Sequence, residues 1–204
     1  MFKIAALYKF VFFSEPEIVS QTLLQLCKEH NILGALIIAH EGINGTVSGT
    51  VEDMDAFIAD MSRTVNELSF IEEIKFSEAT VSPFYRIRVR VKPEIVTMGL
   101  PEINPAISKG QYVEPSEWNE LISDPDVLVI DTRNSYEVQL GTFARAVDPN
   151  TSIFREFPDY VDQNLNPSSH KKIAMFCTGG VRCEKASSCK HYIIIHLYLR
   201  APLN

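Results

Sequence analysis

The stretch that most constrains the fold of this chain is KIAMFCTGGVRCEKASS, residues 172–188. An apolar run typical of a buried strand, IAMF, is followed after a short glycine-containing connection by a run typical of a helix, CEKASS. The elements upstream continue this alternation, since PSEWNELIS predicts a helix, VLVIDTR a strand and NSYEVQLG a further helix. Apolar strands that alternate with helices indicate an open parallel α/β sheet in the second half of the chain.

The first half of the chain predicts a different α/β arrangement. Strand patterns occur in KIAALYKFVF, ILGALIIAH, INGTVSGT and YRIRVRVK, and helical patterns in PEIVSQTLLQLCKEHN and VEDMDAFIADMSRTV. In chain order these elements read βαββαβ, which is the order of a ferredoxin-like fold. We therefore predict a ferredoxin-like, acylphosphatase-like domain over residues 1–95. A linker without periodicity follows over 96–114, and a second domain covers 115–204.

Composition and charge exclude several classes of protein. Hydrophobic residues make up 46% and charged residues 22% of the 204, which is typical of a globular chain rather than a disordered one. The net charge of -7 argues against nucleic-acid binding through overall charge but allows a local basic patch. No run reaches the ~18 apolar residues of a membrane span, and four cysteines do not make a disulfide framework. We expect no membrane association and a reducing, cytoplasmic location.

The connection from Cys177 to Arg182 has the composition of an activated thiol in an anion-binding loop. Gly179 and Gly180 allow unusual backbone angles, so that several backbone N–H groups can point at one centre. The positive end of the following helix and the charge of Arg182 favour thiolate over thiol, lowering the pKa of Cys177 from ~8.5 toward neutrality or below. We predict Cys177 and Arg182 to be catalytic. The predicted anion-binding loop consists of Thr178, Gly179, Gly180 and Val181.

Other interpretations of Cys177 have less support in the sequence. A merely buried cysteine would not require two glycines and an adjacent arginine. Zinc sites usually space their cysteines two to four residues apart, whereas Cys177, Cys183 and Cys189 are each separated by five residues, so no metal is predicted. A transient disulfide stays open, with Cys183 as a candidate resolving thiol.

The spacing of a cysteine, four residues and an arginine between a strand and a helix resembles the active-site loop of rhodanese domains. Upstream, VLVIDTRNSYEVQLGTFARAVDPN resembles the second rhodanese signature, with Asp131 and Arg133 at the end of the strand. We interpret Asp131 and Arg133 as a supporting ion pair that shapes the surroundings of the loop. The related dual-specificity phosphatases carry five residues in the loop, so this resemblance implies that sulfane sulfur fits better than phosphate.

Three motifs extend the resemblance to a whole family. In this order, AHEGINGTVSG, RIRVRVKPEIVTMG and FCTGGVRCEKAS are similar to the bacterial tRNA uridine(34) hydroxylase family, over roughly residues 3–188. The resemblance implies a rhodanese-like second domain and oxygen-dependent 5-hydroxylation of the wobble uridine of tRNA. It also implies molecular oxygen as co-substrate, and it implies that Cys177 corresponds to the family's rhodanese cysteine. The sequence itself shows no evident cofactor motif. The alternatives are a persulfide- or thiosulfate-dependent sulfurtransferase with a small-molecule sulfur donor, and a catalytically idle module that binds RNA or protein.

The strand pattern RIRVRVK places four cations on one face of a sheet. Arg86, Arg88, Arg90 and Lys92 recur at a spacing of two, and the residues between them are apolar. A row of cations on the face without helices suits phosphate groups, so we predict that these residues contact RNA. The alternative is a solvated face whose cations pair with acids on neighbouring strands.

The chain after Ser188 departs from the family pattern. A rhodanese domain should continue through a glycine-containing loop into a last strand, whereas this chain reads CKHYIIIHLYLRAPLN. We expect an atypical or incomplete C-terminal end that is poorly ordered or packs as an irregular substitute strand, with YIIIHLYL as an exposed edge.

Overall fold

The computed structural model describes residues 1–71, 74–166 and 168–188, together with the backbone of 194–197. The chain divides into two compact units, Met1–Ile95 and Val96–Asn204. Each unit is an α/β structure with a sheet of its own. Among the described residues, every helix is too short or too polar to cross a membrane.

The first unit confirms the predicted ferredoxin-like topology. Its elements are β1 (Phe2–Phe10), α1 (Pro16–Glu29), β2 (Leu33–Ala39), β3 (Gly42–Thr50), α2 (Val51–Thr64), β4 (Ile74–Ala79) and β5 (Ile87–Val91), with a 3-10 turn at Asn66–Leu68. The strand order is β4-β1-β3-β2-β5. Neighbouring strands are antiparallel except β2 and β5, which run parallel. The first six strands and helices therefore have the βαββαβ order, and β5 extends the sheet beyond β2.

The two helices of this unit pack on the sheet because each carries one apolar stripe. Pro16 stands in the first turn of α1, where its missing N–H costs no helical hydrogen bond. Thr50 caps α2, since its hydroxyl accepts a hydrogen bond from the backbone N–H of Asp53 at 3.1 Å. The buried apolar residues of the two helices are Leu23, Leu26, Cys27, Met54, Phe57 and Met61. They join one core with buried strand residues such as Leu36 and Val47.

The prediction that YRIRVRVK is the last strand of the βαββαβ unit is wrong. Ile74–Ala79 forms that strand beside β1, and Ile87–Val91 forms β5 at the opposite edge beside β2. The sequence IKFSEA gives a weak strand signal because lysine, glutamate and alanine are depleted in strands. Its Phe76 also remains half-exposed at the sheet edge, so the segment lacks a fully buried face.

The second unit confirms the predicted parallel α/β sheet. Its elements are β6 (Gln111–Val113), α3 (Pro115–Ser123), β7 (Val127–Asp131), α4 (Ser135–Val138), α5 (Phe157–Asn164), β8 (Lys172–Phe176), α6 (Val181–Ser187) and β9 (Ile194–Leu197), with a 3-10 turn at Phe154–Glu156. The strand order is β6-β9-β8-β7, and every pair is parallel. A parallel bridge between Ile130 and Val147 adds one more position beside β7.

The central strand β8 separates two apolar clusters of this unit. Ile173 and Met175 belong to one cluster, and Ala174 and Phe176 belong to the other, as the alternation of a strand requires. Phe176 packs edge-on against Trp118 and Phe143, at ring-centroid distances of 6.0 and 4.8 Å. Both faces of β8 are therefore buried, and this packing fixes the position of the residue that follows the strand.

Residues 96–114, predicted to be a linker, contribute side chains to the second unit. Met98 is buried in the same cluster as Ile173 and Met175, and Val96, Leu100 and Ile103 pack against that cluster. This stretch therefore packs on the α/β core although its sequence shows no periodicity.

The tail follows the prediction only in part. The backbone of Ile194–Leu197 forms β9 between β6 and β8. For these residues, the structure therefore agrees with the expectation of a substitute strand rather than a poorly ordered tail. An exposed edge was the wrong prediction for these four residues, because hydrogen-bonded strands lie on both sides of them. The predictions for 189–193 and 198–204 lie outside the described residues.

Candidate active site

Cys177 directly follows β8 and lies in the core rather than on the surface. Its side chain belongs to the cluster of Ile173 and Met175 and is only 2% exposed. The chain then folds back over the sulfur, and the backbone N–H of Gly180 donates a hydrogen bond to Cys177 Sγ at 3.0 Å. The sulfur is therefore held between the end of a buried strand and the connection that leads into α6.

One of the two glycines carries the special backbone conformation of this loop. Gly180 has a φ of 95°, in the region that residues with a side chain rarely adopt. Gly179 has no positive φ, and a Cβ added to it would meet no atom within 4 Å. Of the two glycines that the sequence predicted to permit unusual angles, Gly180 is the one with a positive φ. Val181, predicted to be in the loop, is the first residue of α6, and Arg182 lies in the first turn of that helix.

The environment of Cys177 lowers the pKa of its thiol to about 5. Burial acts in the opposite direction and is the largest single influence. It is outweighed by the hydrogen bond from the Cys183 thiol, by the positive charge of Arg182, and by the backbone N–H groups of Cys183 and Gly180. Cys27, in the core of the first unit, shows what burial does alone, since it raises the pKa of that thiol to about 12.

Cys183 is the protonated partner of this pair of sulfurs. It is fully buried, and its Sγ lies 3.3 Å from the hydroxyl oxygen of Thr132. Burial raises the pKa of Cys183 well above its ordinary value, and the hydrogen bond to Cys177 and the negative charge of Cys177 raise it further. These opposite shifts favour the thiolate at position 177 and the thiol at position 183.

Glu137 holds Arg182 in place, a role that sequence reasoning missed. Arg182 donates from Nη1 to Glu137 Oε2 at 2.6 Å and from Nη2 to Glu137 Oε1 at 2.9 Å. The hydroxyl of Thr178 donates to Glu137 Oε1 at 2.6 Å, and the backbone N–H of Asn134 donates to Oε2 at 3.2 Å. One carboxylate from α4 thus fixes both a loop residue and the helical arginine.

The ion pair keeps both of its members charged. Burial alone would raise the pKa of Glu137, but the bonds from Arg182 and Thr178 and the charge of Arg182 lower it to about 2. Burial lowers the pKa of Arg182, and this is outweighed by its bond to Glu137 and by the negative charges of Cys177 and Glu137, which raise it. Arg182 is therefore a fixed cation near Cys177, with its two terminal nitrogens already bonded to a carboxylate.

Asp131 and Arg133 form the ion pair that the sequence predicted to be supporting. Asp131 is fully buried, and Arg133 donates to it from Nε at 2.9 Å and from Nη2 at 2.6 Å. Thr142 donates a further bond to Asp131 Oδ2 at 2.8 Å, and Arg133 also binds the carbonyl of Gly141. These contacts tie the end of β7 to the segment after α4, in agreement with a role in shaping the site.

In the first unit, the four predicted RNA-binding cations lie on one face of β5. Arg86, Arg88, Arg90 and Lys92 are all exposed, while Ile87 and Val89 pack against the core. β5 pairs with β2, whose sequence LGALIIA contains no acid. Within the described ranges, none of the four cations forms a salt bridge. The alternative of pairing with acids on neighbouring strands is therefore not supported.

No metal cluster and no disulfide occur among the described residues. Three or more histidine, cysteine or acidic side chains nowhere converge as ligands in those ranges. Cys27, Cys177 and Cys183 are free thiols, and Cys189 lies outside the described residues.

Comparison with known proteins supports the expected family. A family model described as a UPF0176 acylphosphatase-like domain matches residues 2–95. The chain is 52% identical over 185 residues to a tRNA uridine(34) hydroxylase of Teredinibacter turnerae, an alignment that covers 91% of this chain and 57% of that protein. The match extends over nearly the whole of this chain and supports the membership of the tRNA uridine(34) hydroxylase family that the sequence motifs led us to expect. It spans little more than half the length of this curated relative.

Two solved structures share only a distant likeness with the chain. An acylphosphatase from Coxiella burnetii is 12% identical, with a TM-score of 0.31 over 43% of this chain and 90% of its own. Full-length HypF, in its phosphate- and nucleotide-bound form, is 18% identical, with a TM-score of 0.35 over 61% of this chain and 16% of its own. Neither score carries an argument about function.

Proposed function

We propose that the chain hydroxylates the wobble uridine of tRNA at carbon 5, with molecular oxygen as co-substrate and Cys177 as the reacting group. Support for the substrate comes from the 52% identity to a protein named tRNA uridine(34) hydroxylase. Support for the reacting group comes from one observation, a buried cysteine with a pKa of about 5 beside a fixed arginine. Because the substrate is tRNA, we propose a cytoplasmic location as well.

Cys177 has the properties of a nucleophile that works at neutral pH. A thiol with a pKa of about 5 is almost entirely thiolate at pH 7, and the thiolate is the nucleophilic form. The backbone N–H of Gly180 and the charge of Arg182 stabilise negative charge at the sulfur without any rearrangement of the protein. We propose Cys177 either as the direct nucleophile or as the carrier of a persulfide, with Arg182 and the Thr178–Val181 segment stabilising the developing anion.

The basic face of β5 is the proposed contact for tRNA phosphates. Arg88 and Arg90 lie beside Ala35 and Ile37 of β2. No carboxylate at these positions of β2 therefore offsets the positive potential that the two arginines offer to a phosphate. Tyr85, at the start of the same segment, is 99% exposed and offers an aromatic face beside the arginines. Cations that bind phosphates next to an aromatic ring on which a base can stack are typical of sites for unpaired RNA.

Sulfur transfer is the second candidate function, and the same cysteine supports it. A thiolate enclosed by a four-residue loop and an arginine suits a persulfide, which a small-molecule sulfur donor such as thiosulfate would supply. In this alternative, Cys177 would pass sulfur to an acceptor and no hydroxylated nucleoside would form.

Nucleoside mass spectrometry distinguishes the two functions. Cells that lack the gene would be complemented with the wild-type chain, with Cys177→Ser or with Cys27→Ser, which changes a buried cysteine of the first unit. We expect 5-hydroxyuridine in tRNA to return with the wild type and with Cys27→Ser but not with Cys177→Ser. Loss and return of a thiolated base instead would favour the sulfurtransferase, and an unchanged nucleoside profile would contradict both.

A further inference from the structure

Two cysteines of the second unit lie in one buried cluster. Cys183 stands two residues into α6 and shares that cluster with Cys177, and both are free thiols. The Cys183 thiol also contributes to lowering the pKa of Cys177 as a hydrogen-bond donor. The connection between them turns at Gly180, whose positive φ brings its N–H onto the same sulfur. The fold thus places the two sulfurs in the same buried cluster, joined by a short connection that turns at Gly180.

We infer that Cys177 and Cys183 form a dithiol–disulfide pair that takes hydrogen peroxide as its oxidant. In the first step the Cys177 thiolate attacks one peroxide oxygen, an S–O bond forms, the O–O bond breaks, and the departing hydroxide becomes water by taking up a proton. In the second step the Cys183 sulfur attacks the Cys177 sulfur, an S–S bond forms, and the S–O bond breaks. The hydroxyl group leaves as water with the proton of the Cys183 thiol. The two sulfurs lose two electrons in total, and both peroxide oxygens end as water.

The surroundings of Cys183 favour the second step only after the first has occurred. In the reduced pair the negative Cys177 sulfur attracts the Cys183 proton and opposes its loss. Once Cys177 carries a neutral sulfenic acid, that opposition disappears, while Thr132 and Arg182 continue to favour the Cys183 thiolate. Cys183 therefore becomes a better nucleophile at the moment when Cys177 becomes an electrophile. Because both cysteines belong to one loop and helix, the second step is intramolecular and needs no second protein molecule.

Peptide mapping of the oxidised protein tests the pair directly. The reduced full chain would be treated with an equimolar amount of hydrogen peroxide and digested with trypsin without reduction. Cleavage after Lys172, Arg182 and Lys185 places the two cysteines on separate peptides, residues 173–182 and 183–185. We expect these peptides to be joined, with the loss of two hydrogen atoms, and to separate after treatment with dithiothreitol.

Two variants make the result specific. Cys183→Ser keeps a hydrogen-bond donor but cannot form a disulfide, so we expect its Cys177 to react with dimedone as a sulfenic acid and to proceed to sulfinic acid in excess peroxide. Cys27→Ala should give the same joined peptides as the wild type. Dimedone labelling of Cys177 in the wild type without joined peptides would overturn the inference, as would joining of Cys177 to Cys27 or Cys189. The wild-type result stands alone if Cys183→Ser does not fold. No RNA is present, so the outcome is independent of the proposed hydroxylation.

Discussion

Neutralising Arg88 and Arg90 together tests whether β5 is the RNA-binding face. Both side chains are exposed on the same face of the strand, and the neighbouring strand contributes no acid. Each phosphate contact contributes roughly 0.7 to 0.9 to the slope of log affinity against log salt, so losing two contacts should flatten that slope by about 1.4 to 1.8. Between 50 and 200 mM salt, a fourfold change, the wild type's advantage over Arg88→Gln/Arg90→Gln should therefore shrink by about 7- to 12-fold.

Fluorescence anisotropy with an unmodified tRNA transcript, titrated at several potassium chloride concentrations, measures this slope. Lys28→Gln/Arg63→Gln is the matched control, because it removes the same charge from exposed positions in the last turns of α1 and α2. Unchanged Cys177 alkylation would show that the variants remain folded at the candidate site. Equal loss of affinity in both double variants would refute a local binding face, and an unchanged slope in Arg88→Gln/Arg90→Gln would return β5 to an ordinary solvated strand.

Three further predictions concern the candidate active site. Gly180→Ala should lower the free energy of unfolding by about 1–2 kcal/mol in a denaturant titration, because its φ is positive, whereas Gly179→Ala should leave it nearly unchanged. Cys183→Ala should raise the pKa of Cys177 above its value of about 5, because the thiol donor is lost, and the pH midpoint of Cys177 alkylation would show this shift. Glu137 has its pKa lowered to about 2, so its contribution to stability is complete above its ordinary value of 4.5 and is lost as the pH falls toward 2. Denaturant titrations across that range should show a smaller acid-induced loss of stability in Glu137→Gln than in the wild type, and parallel losses would contradict this.

Hydrophobic periodicity was sufficient to predict the architecture but not every element. Long segments with a clear period, such as α1 and α2, were assigned correctly because their apolar residues face a core along the whole element. The edge strand β4, the helix α5 and the edge strand β6, which lies within the predicted linker, were missed. Helix α5 spans only eight residues, and its two buried positions, Phe157 and Val161, are too few to establish a period. Local pattern fails where an element buries little of its surface.

The residues around the reactive cysteine could be predicted from the sequence because they are close together along the chain. Cys177, Gly180 and Arg182 lie within six consecutive positions, and a loop between a strand and a helix brings them together in any α/β sheet. Glu137 is 45 residues away from Arg182, and its carboxylate meets the guanidinium only through the parallel order of β7 and β8. The available signal for Glu137 was its place in a short helix after the Asp-x-Arg at the end of a strand. Spacing alone does not reveal that its partner is Arg182.

The contacts of Arg182 also bear on which group approaches the sulfur. Sequence reasoning placed this arginine as a positive charge beside an anion-binding loop, and both of its terminal nitrogens are bonded to the carboxylate of Glu137. After burial, the largest influence on the pKa of Cys177 is the hydrogen bond from Cys183, ahead of the charge of Arg182. A doubly charged phosphate would have to compete with Glu137 for the guanidinium while facing the negative charge of that carboxylate. A neutral group, such as a uracil ring or a sulfane sulfur, meets no such competition, because the thiolate is already stabilised by Cys183 and Gly180. The geometry therefore favours base or sulfur chemistry at Cys177 over phosphate hydrolysis.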